Sequence, residues 1–332
     1  MVTSLVTGGA GFIGAHVTNE LIKLKHNVIV LDDLSGGFKK NVNPKAIFIK
    51  GSVTDNKLVE DLFNKYQFDY VYHLAAYAAE GLSHFIKRFN YTNNLIGSIN
   101  LINESIKHKI KCFVFTSSIA VYGTGQLPMC EDMIPAPEDP YGIAKYAVEQ
   151  DLKVSHKMFG LNYIIFRPHN VYGEYQNIAD RYRNVLGIFM NQLMQGKPLT
   201  IFGDGKQTRA FSYIDDVAPY IAKSVNIKNA YNEIFNIGAE KSYTVNELAE
   251  TIMQVMNIKT KIRYMPRRNE VIYAYSAHSK VHKIFNIRQN TSLEQGITKM
   301  FNWVKKYGAK KTPKFKNIEI FDKLPPVWLE EY

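Results

Sequence analysis

Short apolar runs and helically spaced apolar positions take turns along the first half of the chain. Leu5 and Val6 belong to a run that ends at Thr7, and from Phe12 onward Val17, Leu21 and Ile22 recur at helical spacing. The same alternation predicts strands over 27–31, 46–50, 70–73, 112–115 and 163–166, and helices over 56–66, 89–107 and 141–158. Strands this apolar belong to a parallel sheet covered on both faces. The expected fold is therefore α/β, a Rossmann-type doubly wound parallel sheet with ligands at the C-terminal ends of its strands. From about residue 170 the rhythm changes. Helical patterns at 186–195, 215–225 and 245–256 alternate with short strands at 199–202, 233–237 and 261–264. This predicts a first domain over 1–169, to which some later segments return, and a smaller mixed α/β domain with a C-terminal tail over 170–332.

Composition narrows the partners. Of 332 residues 46% are hydrophobic, enough for a substantial core, and 41 Lys and Arg against 30 Asp and Glu leave a formal charge of +11. That charge suits an anionic ligand. Outside 305–316 no basic stripe with interleaved aromatics occurs, so nucleic acid is not an expected partner. Cys112 and Cys130 cannot make a disulfide framework, and Cys112 lies in an apolar strand as a buried free thiol would. With no signal peptide ahead of the first strand and no apolar run of membrane-spanning length, a soluble, cytoplasmic protein without a membrane partner is expected. No compact cluster of metal ligands stands out, and no metal is expected.

Two patterns carry chemistry. Gly8, Gly9 and Gly11 lie between the first strand and the first helix, with Gly14 one turn further. Gly8 allows a sharp turn. Gly11 lets a diphosphate approach the helix N-terminus, and Gly14 lets that helix sit close to the sheet. The second strand ends in Asp32, about where an acid would hold a ribose hydroxyl. Further on, Tyr141 and Lys145 stand four residues apart on a helix, so phenol and ammonium face one site. A free tyrosine titrates near ~10, and bringing it to neutrality takes about 4 kcal/mol of preferential phenolate stabilisation. Lys145 and a cationic cofactor ring are the candidate suppliers. Ser118, in Phe115-Thr-Ser-Ser118, could bridge the phenol and a sugar hydroxyl.

The glycine loop, the Ser118–Tyr141–Lys145 set and Arg167-Pro-His-Asn-Val-Tyr-Gly173 resemble the extended short-chain dehydrogenases/reductases, in particular the NAD-dependent epimerase/dehydratase family and its UDP-glucose 4-epimerase-like branch. The resemblance runs from Met1 to about Ile287. It implies NAD held by the first domain and a nucleotide-sugar held by the second. On the cofactor side it carries over Phe12 and Ile13 to the diphosphate, Asp32 to the adenosine ribose, and Ser52 and Val53 to the adenine. The family's usual adenine-reading Asp is missing at Ser52. Leu74, Ala75 and Ala76 match the strand end lining the cofactor, Asn94 a helix residue near the site, and His169 an aromatic beside the nicotinamide. On the substrate side Asn170 and Asn184 match diphosphate ligands, Thr200 and Phe202 the uracil-reading strand, Arg209 and Arg267 a diphosphate clamp, and Glu270 a ribose-holding acid.

The implied reaction is epimerisation at carbon 4 of a UDP-hexose, with Ser118, Tyr141 and Lys145 as the catalytic residues and a homodimer as the expected assembly. A 4,6-dehydratase or decarboxylase is the alternative. The related enzymes of those kinds place acids just after the Ser118 position, where this chain has Ile119 and Ala120. A non-catalytic NAD sensor would usually have lost the Tyr or the Lys. Alignment with the family also puts Ala274 at the wall beside the sugar, where a small residue would admit UDP-GlcNAc and UDP-GalNAc besides UDP-glucose and UDP-galactose.

Overall fold

The computed structural model describes residues 1–125, 127–267, 271–287, 291–311 and 315–328. The strands are β1 (Thr3–Thr7), β2 (Asn27–Asp32), β3 (Ile47–Lys50), β4 (Tyr70–His73), β5 (Cys112–Thr116), β6 (Tyr163–Pro168), β7 (Val171–Tyr172), β8 (Leu199–Phe202), β9 (Thr208–Ala210), β10 (Ser212–Tyr213), β11 (Glu233–Ile237), β12 (Ser242–Thr244), β13 (Ile262–Met265) and β14 (Tyr273–Ala274). The helices are α1 (Phe12–Lys23), α2 (Asn56–Tyr66), α3 (Glu80–Ser83), α4 (Lys87–Tyr91), α5 (Gly97–Lys107), α6 (Pro140–Phe159), α7 (Val185–Met194), α8 (Ala218–Lys223), α9 (Val245–Met256), α10 (Ser279–Phe285) and α11 (Leu293–Tyr307).

The main sheet is parallel, seven-stranded among the described residues, in the order β11-β6-β5-β4-β1-β2-β3. Side chains alternate across it. Val6, Val30, Tyr72, Val114 and Phe166 face one core, packed by α1, α8 and α9. Leu5, Ile29, Val71, Phe113 and Ile165 face the other, packed by α2, α5 and α6. This is the doubly wound architecture the apolar strands call for. The strand order reverses between β1 and β4, so a crevice opens past Thr7 and His73, which lie level in the register.

Three features depart from the sequence pattern. The helix expected over 89–107 is interrupted by a π-helical turn at Thr92–Ile96, between α4 and α5. The stretch 215–225 is a short α8 between two 3₁₀ turns, since Pro219 can only stand in a helix's first turn. Helix α11, absent from the expected elements, is closed by a capping box in which Ser292 and Gln295 each bond the other's backbone. Strand β11 joins the main sheet beside β6, so the sheet draws on the chain beyond residue 170. Both cysteines are free, and burial pushes the Cys112 thiol well up. No helix among the described residues is long and apolar enough to cross a membrane.

Candidate active site

A cleft of about 470 Å³ lies over the crevice between β1 and β4. Its cofactor-side floor is the glycine loop. Gly8 has φ +72°, and a Cβ there would come within 2.7 Å of the Ala75 nitrogen; at Gly14 a Cβ would collide with the Gly8 carbonyl oxygen. The loop is tied down by Asp32, whose Oδ2 accepts from the Ala10 N–H at 2.9 Å and Oδ1 from the Leu34 N–H at 2.8 Å. Burial raises the Asp32 carboxyl, and those backbone donors pull it back. Gly8, Gly11, Phe12, Ile13, Gly14, Asp32, Ser52, Val53, Leu74, Ala75 and Ala76 all line the cleft. Below it, Ser98 donates to the Asn94 carbonyl, so His73 Nε2–H must donate to Ser98 Oγ, and Nδ1 accepts from Thr7. Burial and the Lys145 charge hold His73 down to about 3, a neutral ring consistent with that tautomer.

Helix α6 presents the reactive pair. Asp139 caps it by accepting from the Gly142 N–H at 2.9 Å, and Pro140 takes the first helical position. Tyr141 therefore sits in the first turn and Lys145 one turn on. Ser118, just past β5, accepts from the Ala120 N–H and hydrogen-bonds the Tyr141 phenol. Lys145 Nζ donates to the Thr116 carbonyl at 2.8 Å, and lies 4.7 Å from the Phe115 ring centroid and 5.8 Å from that of Tyr141. Ser118, Tyr141 and Lys145 all line the cleft. Burial raises Tyr141 well above its ordinary value, reinforced by the Glu80 charge and opposed by Ser118 and the Arg183 charge. Burial lowers Lys145 to about 7, opposed by Glu149. Lys145 is thus not among the groups that lower Tyr141 in the protein alone; the resident cation doing so is Arg183.

On the opposite wall stand Asn170, Asn184 and Arg209. Asn184 caps α7 through its Oδ1, at φ +56°, while its amide donates to the Val171 carbonyl at 2.6 Å. Asn170 donates to the Ala210 carbonyl at 3.2 Å. Arg209 donates Nη1 to the Thr208 and Ile272 carbonyls and Nη2 to the Val271 carbonyl.

Other expected residues lie off the cleft's lining. Asn94 is buried in the π-turn, its side chain bonded to both the N–H and the carbonyl of Tyr77, so it supports the wall from behind. His169 is buried against His278 and does not reach the lining, because its ring turns toward β9. Thr200 is tied to Gln192 of α7, and Phe202 packs in an aromatic cluster with Met265, Leu324 and Trp328. Arg267 is exposed beside Gly203. Ala274 is not a wall residue: the register of β14 on β9 turns it into a buried cluster with Ile119, Val121, Tyr122 and Met129. Glu270 lies outside the described residues.

The cleft also contains groups that no motif marked. Arg183 Nε donates to Asp180 Oδ2 at 2.6 Å, and its guanidinium stacks 4.7 Å from the Tyr77 ring and lies against Gly36. It comes from an irregular loop, 173–184, with no periodicity to read; its adjacency to Asn184 was the only signal. Among the described residues no group of three or more His, Cys, Asp or Glu is placed to hold a metal ion.

Known proteins resemble this chain along nearly its whole length. The model of the NAD dependent epimerase/dehydratase family matches residues 4–238. A putative UDP-glucose 4-epimerase of Methanocaldococcus jannaschii is 37% identical over 304 residues, covering 91% of this chain and 98% of the relative. The crystal structure of UDP-glucose 4-epimerase from Thermotoga maritima with UDP-glucose superposes with TM-score 0.87 at 34% identity, over 92% of this chain and 99% of that one. That of UDP-glucuronic acid 4-epimerase from Bacillus cereus, in complex with UDP-glucuronic acid and NAD, gives TM-score 0.85 at 28% identity, over 92% and 100%.

Proposed function

This chain belongs to the NAD-dependent epimerase/dehydratase family, of extended short-chain dehydrogenase/reductase type, and we propose that within it the chain is a UDP-sugar 4-epimerase. The observation that carries this reading is the convergence of Ser118, Tyr141 and Lys145 on the same cleft as the glycine loop. NAD is the cofactor, and the residues present fit it: Gly8 and Gly14 occupy positions that a Cβ would fill, and Asp32 closes the loop beneath. When bound, NAD would supply the acceptor and donor of the carbon-4 hydride, and a cationic ring in its oxidised form.

The chain's own residues do the rest. The N–H groups of Phe12 and Ile13 at the start of α1 face the cofactor's diphosphate, and Asp32, Ser52 and Val53 its adenosine end. Tyr141 accepts the sugar hydroxyl's proton, directly or through Ser118, and gives it back after the ring has turned. Lys145 orients the cofactor's ribose. Asn170, Asn184 and Arg209 hold the UDP diphosphate, with the exposed Arg267 beside them, while the sugar rotates about it. Arg183 joins them as a cation for an anionic group of the bound nucleotides. Dehydration and decarboxylation are disfavoured because Ile119 and Ala120 follow Ser118, and Ile119 is packed in an apolar cluster. Ala274, buried with that cluster, gives no ground for choosing an acetamido sugar.

The test is to incubate the protein with UDP-glucose, UDP-GlcNAc and UDP-glucuronate and read the products by NMR. A 4-epimer from one of them is expected, with Tyr141→Phe losing nearly all turnover yet keeping NAD. A 4-keto-6-deoxy or decarboxylated product, or a tenth of the activity left in Tyr141→Phe, would refute this reading.

A further inference from the structure

Behind the substrate wall lies a cluster of titratable groups that the proposed reaction does not use: His169, His278, His282 and Glu240. The rings of His169 and His278 are buried, with their Nε2 atoms 2.9 Å apart. His278 Nδ1 lies 3.1 Å from Glu240 Oε1, and His169 Nδ1 lies 3.0 Å from the Ala210 carbonyl. We propose that this chain, Ala210–His169–His278–Glu240, carries one proton on each of its three links, and that His278 and Glu240 are thereby positioning residues for Asn170 and Arg209.

The proton count follows from the partners. Ser212 Oγ donates to the His169 carbonyl and accepts from the Ala239 N–H, so its single proton is committed. Both neighbours of His169 Nδ1, Ser212 Oγ and the Ala210 carbonyl, are then acceptors, and Nδ1 must carry a hydrogen. His278 Nε2 has two neighbours, His169 Nε2 at 2.9 Å and the Ser276 hydroxyl at 3.1 Å. The hydroxyl can turn to accept or to donate, whereas two ring nitrogens in a buried site cannot both be bare, so one proton lies between the rings. The third link joins a ring nitrogen to a carboxylate, which also needs a proton between them. Two neutral imidazoles supply two protons and the geometry calls for three. With three protons on the chain, the two rings and the carboxylate together carry no net charge. Burial disfavours a charge on His169, and Glu240 is half exposed and keeps its carboxylate hydrated, so the third proton lies on the ring side of the His278–Glu240 link.

The chain joins segments that flank the substrate wall. His169 lies between the cleft residues Pro168 and Asn170, and Ala210 follows the cleft residue Arg209. The Ala210 carbonyl accepts from both His169 and Asn170. The titratable groups facing the two rings are each other, Glu240 and His282, which lies 3.4 Å from Glu240. Lys280 is turned away to Glu233, and the Arg209 guanidinium to carbonyls of β9 and of the chain before β14. Gly238 closes the space on the inner side: a Cβ there would strike His169 Nε2 and wedge the rings apart.

The first test is a long-range ¹H–¹⁵N spectrum of the histidine rings in the full-length, NAD-loaded protein at pH 7. His169 should show one protonated nitrogen and His278 two. Glu240 is half exposed, so Glu240→Gln should fold, and in it His278 should fall to a single protonated nitrogen. The second arm rests on the epimerase reading. In Glu240→Gln the KM for the sugar nucleotide should rise about 3–10-fold, the worth of one net hydrogen bond, with kcat within about twofold. Native KM should rise with pH as the third proton leaves, a slope Glu240→Gln should lack and Glu240→Asp restore. A bare nitrogen on His278 in the native protein overturns the proton count, independently of any activity. An unchanged KM beside a changed ring pattern overturns the positioning role.

Discussion

Lys145 is 2% exposed, and its ammonium has a carbonyl, two aromatic rings and the more distant Glu149 for company. A lysine held to about 7 in the folded protein, against about 10.4 unfolded, costs stability wherever the unfolded chain would be protonated and the folded one resists. That cost is complete below pH 7 and fades as pH rises from there toward 10. Lys145→Met should therefore abolish turnover and yet stabilise the cofactor-free protein at pH 6. Roughly three units at ~1.36 kcal/mol each, less the lost hydrogen bond and ring contacts, leaves a gain of about 1–3 kcal/mol. Thermal unfolding at pH 6 and pH 10 checks this, and the gain should shrink at the higher pH. An equal loss at both would mean that Lys145 is stabilising in its own right.

Helix α6 works as one piece because three side chains at four-residue spacing run along one face: Tyr141, Lys145 and Glu149. Glu149 is fully buried and takes Arg167 Nε at 2.9 Å, Arg167 Nη2 at 2.5 Å and the Ser117 hydroxyl at 2.5 Å. It thereby clamps the helix to the ends of β5 and β6, directly under the reactive pair. Arg167 also stacks on Tyr122, whose hydroxyl donates to Asn236 of β11. Removing one partner of a buried pair strands the other's charge. Glu149→Gln should cost about 3–5 kcal/mol in urea unfolding and lower kcat by letting the first turn of α6 shift. A cost under about 1 kcal/mol would show the clamp to be dispensable.

At the scale of the molecule the C-terminal tail backs the cleft wall. Phe315 packs on Tyr77, Phe89 and Tyr182, all of which line the cleft, and its N–H donates to the Tyr182 hydroxyl at 3.2 Å. Trp328 packs edge-on to Tyr182 and Phe85, and Glu319 accepts from the N–H groups of Arg88 and Phe89 at the start of α4. Truncation after residue 311 should leave the main sheet folded, since neither of its two cores includes a described residue of the tail. It should raise KM for the sugar nucleotide by ~10-fold or more, because three wall aromatics lose their backing. Circular dichroism with steady-state kinetics tests this, and an unchanged KM would make the tail a passive cover.

The doubly wound fold was legible because alternating apolar strands and amphipathic helices leave few other ways to bury both faces of a sheet. The glycine loop, Asp32 and the Tyr141–Lys145 pair were legible too, since each depends on spacing within a single strand–turn–helix unit. Local order could not reveal what depends on contacts between distant segments. Arg183 enters the cleft from a loop without periodicity, and Phe315 backs its wall from the far end of the chain. Ala274 could be aligned to a wall, but whether it faced the cleft depended on the register of β14 against β9, which turns it into a cluster with Ile119 and Tyr122. His169 aligns with a ring beside the cofactor, but its ring is buried against His278, 109 residues away. The sequence by itself determined the elements and the chemistry that sits inside one of them. Which side chains face the cleft, and which are buried behind it with a shared proton, was decided only when tertiary packing removed water from between them.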